Sequence, residues 1–316
     1  MASNTPGADL NEIHLGLILN NGQWTGGMAA AKETYDLRKE RVKQDEQAWR
    51  IGQTYSMKDA FLQKASELGY SGGVKNVYWT ARADFSFTDL DPRFEPISKN
   101  NPSDLLVEFN RSTNVDKYLG LSAKSIKSPT GRAPFKNKGM NEIQKELLGG
   151  TQLTSFITEQ TTEFLNMYPR YSTTASARKS QIAAESKTIK DAIAKYANDY
   201  MYAGLQEVLI KGLKSAGDID VKYYCLNNLY DVIRLPRFIK VTGRGTTQAQ
   251  YNASVTDPLN SSAFKALVSN GRVSYEKIGQ TSVGIKVGGR KILKMRFKFE
   301  STPMATTMKF SVEYWD

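Results

Sequence analysis

"NPSDLLVEF" spans residues 101–109 and, after a short polar break, "KYLGLSAKS" spans 117–125. Each holds an apolar run of strand length, and a turn at 110–116 lies between them, so the two predict an antiparallel hairpin. Each also carries a charge where a buried strand ordinarily keeps none. Asp104 heads the first run and Lys124 lies near the end of the second. Two ordinary explanations exist. Asn-Pro-Ser-Asp is rich in turn formers, which makes Asp104 a turn residue. Lys124 can bury its stem and hold its ammonium in water. The alternative is a site.

The chain has 316 residues, with 40% hydrophobic and 10% aromatic composition, which is enough to build a folded core. One cysteine, Cys225, excludes an intramolecular disulfide and a thiolate metal cluster. One histidine, His14, sits in an apolar run and reads as a helix residue packed on the core. His-based metal clusters and Cys/His nucleophilic pairs are excluded with it. The opening "MASNTPGADLNE" has neither the basic start nor the apolar run of a signal peptide, and no stretch reaches the roughly 20 apolar residues of a membrane span. The expectation is a soluble, cytoplasmic protein without membrane contact.

Lys and Arg number 43 against 32 Asp and Glu, a net charge of +11. Such a balance suits a polyanion, and two clusters give it a shape. "AKSIKSPTGRAPFKNKG", 123–139, holds Lys124, Lys127, Arg132, Lys136 and Lys138 without an acid, and its Pro and Gly residues make it a loop. In "GRKILKMRFKFE", 289–300, a period of two separates Lys294, Arg296 and Lys298 from Leu293, Met295, Phe297 and Phe299. That is a strand with one basic and one apolar face. Both clusters predict contacts to a phosphate backbone.

Around the hairpin the patterns alternate in blocks. Residues 8–20 predict a short amphipathic helix, 28–49 an exposed charged helix, and 56–69 a helix capped by Ser56 and stopped by Gly69. "VKNVYWTA", 74–81, predicts a strand. Residues 139–216 read as mostly helical, and the last 80 or so switch to strands. The order gives a mixed α/β architecture rather than a run of βαβ units. Neither GxGxxG after a strand nor GxxxxGK[ST] occurs.

Phosphodiester hydrolysis needs a divalent metal held by oxygen ligands and a cation to align water or neutralise phosphate. A hairpin supplies these when an acid at the head of one strand faces an acid and a lysine, two residues apart and so on one face, on the next. "PSDLLVEF…YLGLSAKS" resembles the nuclease superfamily named for its PD-(D/E)xK motif, in particular phage and bacterial members that write it "PSD…GxSxK". The resemblance covers residues 101–125. It implies a restriction-endonuclease-like mixed sheet flanked by helices, here with a helical insertion and a C-terminal β-rich part. The whole of 1–316 is then one nuclease-like domain: N-terminal helices to 55, a hairpin core with the site over 56–138, a helical region over 139–235, and strands over 236–316.

The implied function is a metal-dependent endonuclease using Mg²⁺ or Mn²⁺ on duplex DNA. Asp104 and the Ala123 carbonyl would hold the metal, Lys124 would align water or touch the phosphate, and Ser122 would line the site. In the family pattern an acid stands where this chain has Ser122. Glu12, on a helix before the hairpin, is the chosen replacement, ahead of Glu142 and Glu146. Glu108 shares the face of Asp104 but lies four residues, about 13 Å, along the strand. The helices of 139–216 would form a homodimer interface or a DNA clamp. A non-catalytic DNA-binding or virion-associated structural protein retaining the fold is the alternative, and RNA cleavage would use the same residues.

Overall fold

The computed structural model describes residues 6–82, 84–94, 101–131, 133, 136–232 and 235–315. They fall into two compact units where the sequence reads as one domain: residues 1–133 with 231–261, and 134–230 with 262–316. The architecture is mixed α/β, with a five-stranded sheet in each unit.

The first unit opens with α1 (Pro6–Leu19), α2 (Ala31–Arg41) and α3 (Gln44–Glu67). Its strands are β1 (Tyr70–Trp79), β2 (Leu105–Ser112) and β3 (Tyr118–Ile126), joined later by β5 (Phe238–Arg244) and β6 (Asn252–Thr256). The sheet order is β1-β2-β3-β5-β6. The expected hairpin forms, with Leu105 opposite Leu121 and Val107 opposite Leu119. β5 lies parallel to β3, so that Ser122 faces Lys240 and Lys124 faces Thr242 across the ladder. A parallel pair needs a crossover connection, and here residues 134–230, the first of the two segments that make up the second unit, lie in it.

Leu119, Leu121 and Ala123 of β3 join Ile239 and Val241 of β5 in one core with Leu10, Ile13 and Leu15 of α1 and Met57 and Phe61 of α3. The opposite face carries a smaller cluster of Phe85, Phe87, Phe94 and Leu106. α1 is buried nearly all round rather than amphipathic. The 24-residue α3 joins the end of the expected 28–49 helix to the expected 56–69 helix, while α2 covers residues 31–41 of the former. Its buried residues Trp49, Gln53, Met57, Phe61 and Ala65 recur every four positions, which keeps one stripe on the core. Ser56, expected as a cap, sits inside this helix and donates to Gln53 O. The helical break falls instead at Val42, which is extended.

The second unit begins with β4 (Lys136–Gly139), in a region read as loop, followed by α4 (Met140–Ile143). Helices α5 (Gln152–Met167), α6 (Ala175–Ala184), α7 (Lys187–Tyr196), α8 (Ala203–Ala216) and α9 (Asp218–Tyr224) follow. After α10 (Ser262–Leu267) come β7 (Val273–Ile278), β8 (Ser282–Val287), β9 (Arg290–Phe299) and β10 (Met308–Tyr314). The antiparallel order is β4-β10-β9-β8-β7. On β9 the period of two holds: Leu293, Met295 and Phe297 are buried, while Arg296 is exposed and Lys294 and Lys298 half-buried. Among the described residues no helix is long and apolar enough to cross a membrane.

Candidate active site

Asp104 is the residue before β2. Its N–H donates to Leu121 O at 2.9 Å and its carbonyl accepts from Thr80 N at 3.2 Å, so its backbone is fixed from both neighbouring strands. The side chain turns to β3. Asp104 Oδ2 accepts from Ala123 N at 2.7 Å, Lys124 Nζ at 3.2 Å and Ser122 Oγ at 3.3 Å. The acid and lysine singled out in the sequence therefore form an ion pair, with 18% and 32% of their side chains exposed. Burial works against the Lys124 charge, but the carboxylates of Asp104 and Glu12 outweigh it and hold the ammonium more firmly protonated than usual.

Glu12 completes the group from α1. It is 5% exposed, and its Oε2 is buried without a hydrogen-bond partner among the described residues. Burial, then the negative charge of Asp104, push its carboxyl well above the ordinary range, with Lys124 opposing. The helix comes close because Gly16, one turn on, has no side chain. A Cβ there would stand 2.8 Å from Leu105 Cδ2 and 2.9 Å from the end of Met28. Residues four apart share a helix face, so the approach of Gly16 to Leu105 brings Glu12 over Asp104.

A divalent cation fits this arrangement in two respects. Glu12 Oε2 is an orphaned buried acceptor, which costs stability unless something satisfies it. Ala123 lies two residues past the last β2–β3 pair. Its N–H points to Asp104, and a strand residue turns its N–H and C=O to the same side, which puts the carbonyl there too. Among the described residues no group of three or more His, Cys, Asp or Glu side chains is placed to hold a metal. The donors that could hold a cation here are two carboxylates and a carbonyl, with water to complete the shell as Mg²⁺ commonly keeps it.

Glu108 is committed elsewhere, to Lys75 at 2.6 Å and Tyr78 Oη at 3.5 Å. Glu142 and Glu146 belong to the second unit and bond Lys138 at 3.5 and 3.0 Å. Lys138 is itself 8% exposed and held by those two acids, so it is not a free cation for a backbone. Lys127 stays in the first unit, its ammonium 5.9 Å from the Trp49 ring centroid. Arg132 lies outside the described residues. Lys136, on β4, and the β9 residues belong to the second unit. There Glu313 pairs with Lys294 at 2.9 Å and Arg296 at 3.1 Å, which partly neutralises the face. Burial and the charges of Arg296 and Lys309 lower the Lys298 ammonium.

The sequence reading missed Lys240. It stands opposite Ser122 on β5, on the face shared with Lys124, and is 4% exposed. Burial and the neighbouring Lys124 charge push its ammonium well below the usual lysine range. The signal was present in "RFIKVTG", a lysine within an apolar strand, the same anomaly that marks Lys124. His14 packs as expected. Thr54 Oγ1 gives its proton to Ile51 O at 2.6 Å, so His14 Nδ1 donates to it at 2.8 Å, which assigns the tautomer. Burial and Lys39 push its pKa down to about 4. No family model, no curated protein and no solved structure matches the chain.

Proposed function

We propose that the protein is a metal-dependent DNA endonuclease built on a restriction-endonuclease-like core. One observation carries the reading: Asp104 and Lys124, set 20 residues apart in the chain, meet at 3.2 Å beside a buried Glu12. The mixed sheet covered by α1 and α3, and the insertion between β3 and β5, agree with the fold the resemblance implies.

Glu12, Asp104 and the Ala123 carbonyl would hold Mg²⁺ or Mn²⁺. When bound, the cation would stabilise developing negative charge and acidify a water. Lys124, kept charged by two carboxylates, would face the scissile phosphate or align the attacking water. Ser122 would hold Asp104 in place through its hydroxyl. Lys127, Lys136, Lys294, Arg296 and Lys298 would meet the phosphate backbone. The net charge of +11 supports a polyanionic partner.

A second reading, a non-catalytic DNA-binding or virion-associated protein, is favoured by Ser122, a neutral donor where the motif has an acid. Supercoiled plasmid with Mg²⁺ separates the two. The nuclease reading expects nicking by the parent, none by Lys124→Ala, and similar DNA affinity for both, because one lysine is a small part of a summed backbone interaction. An inert parent that binds DNA supports the second reading. Cleavage of RNA but not DNA changes the substrate and keeps the site.

A further inference from the structure

One turn of α3 grips both halves of this site while adding no side chain to the ion pair. On one side, Arg50 O accepts from Asn11 Nδ2 at 2.7 Å and Thr54 Oγ1 accepts from His14 Nδ1 at 2.8 Å. Asn11 and His14 bracket Glu12 in α1. On the other side, Gln53 Nε2 donates to Ile126 O at 2.9 Å and to Gly245 O at 2.5 Å, and Gln53 Oε1 accepts from Ser125 Oγ at 2.7 Å. Ser125 and Ile126 directly follow Lys124, and Gly245 directly follows β5.

Gln53 is completely buried, so these bonds have no competition from water. Its amide presents two donors and an acceptor, and all are engaged. Few other residue types could do this. Glutamate or methionine of similar length would lose both donated bonds. The carbonyls are those at the ends of two parallel strands, where ladders open first. Lys124 sits two residues from that end of β3. Its long side chain reaches Asp104 only if the backbone beneath it is held.

We propose that Gln53 is a positioning residue for the reaction: it fixes the end of β3 that carries Lys124 and, through the same turn of α3, sets Lys124 against Glu12. The reaction itself rests on the nuclease reading above. Gln53 touches none of the reacting groups and acts through Lys124. Misplacement of a catalytic group by about 1 Å costs on the order of 100-fold in rate.

Three variants test this: Gln53→Met, Gln53→Glu, and the milder Ser125→Ala, which removes a single bond to Gln53. Plasmid nicking is followed with folding checked by circular dichroism. The expected result is a kcat lower by about 100-fold for the Gln53 variants and about tenfold for Ser125→Ala, with KM for plasmid within twofold. A second readout does not need cleavage. Lysines are reductively methylated with ¹³C and the Lys124 resonance is assigned by its loss in Lys124→Arg. It is expected to move in all three variants while the resonance of Lys75, bonded to Glu108, stays in place. An unmoved Lys124 resonance, or a raised KM with kcat unchanged, overturns the proposal. An inert parent overturns the nuclease reading instead, and the Lys124 resonance still decides whether Gln53 places that lysine.

Discussion

Glu12→Gln should make the protein more stable and less able to bind a cation. Glu12 is 5% exposed, lacks a partner on Oε2 and faces the charge of Asp104. Lys124 offsets part of the cost, since it feels both acids. A buried polar group left unsatisfied costs about 1–3 kcal/mol, and more when charged. Glutamine keeps the shape and removes the charge, so a gain of about 1–2 kcal/mol at pH 7 is expected after the amide's own burial is counted. For a unit of this size that raises the melting temperature by roughly 2–4 °C per kcal/mol.

The pH dependence has a definite sign. The folded state raises the Glu12 pKa, so the parent loses stability as pH rises from the unfolded value, about 4.3, through the folded one. The variant lacks that loss. The two should melt alike below about pH 4 and diverge above it. Cation binding reverses the order. Mn²⁺ at 100 times its dissociation constant stabilises a binding-competent protein by about 2.7 kcal/mol, and Glu12→Gln should lose most of this. Calorimetry from pH 4 to 8, with and without Mn²⁺, reads both effects. A variant that is less stable at pH 7, or is stabilised by Mn²⁺ as the parent is, would refute the placement of Glu12.

Lys240→Met should also stabilise at pH 7, by about 1 kcal/mol, since an apolar side chain replaces a buried amine. The folded state depresses the Lys240 pKa, so its penalty is present at neutral pH and fades as pH approaches the unfolded value of about 10.4. Urea midpoints at pH 7 and 10 should show the gain shrinking, and an equal gain at both would contradict this. Gly16→Ala forces a Cβ against Leu105 and Met28, and should destabilise by about 1 kcal/mol net of better helix propensity and reduce cleavage by displacing α1. An unchanged melt would show that α1 has room there. On duplex DNA, Lys127→Ala should lower the slope of log K against log salt by about 0.9, while Lys138→Ala, already bonded to Glu142 and Glu146, should leave it unchanged.

The hairpin was legible because β2 and β3 are neighbours in sequence and their pairing needs only local pattern and a turn. The same holds for the alternation on β9 from Leu293 to Phe297, although Ile292 is also buried and Phe299 is half-buried. Asp104 and Lys124 stood out because each breaks an apolar run. What escaped depends on long-range pairing. β5 joins β3 only after residues 134–230, which belong to the second unit, and no local signal announces a parallel partner so far along the chain. Lys240 was lost with it. α1 misled because its polar residues Asp9, Asn11, Glu12 and His14 mark buried bonds and charges, not a solvent face. Lys138 looked free because its acids follow it, outside the acid-free run.

Diffraction from crystals soaked in Mn²⁺, with the anomalous signal located, tests the central claim most directly. A single peak is predicted within about 2.5 Å of Glu12, Asp104 and the Ala123 carbonyl, beside Lys124, with no direct bond to Glu108. A structure with no peak at Asp104, or with Mn²⁺ bound only elsewhere, would contradict it.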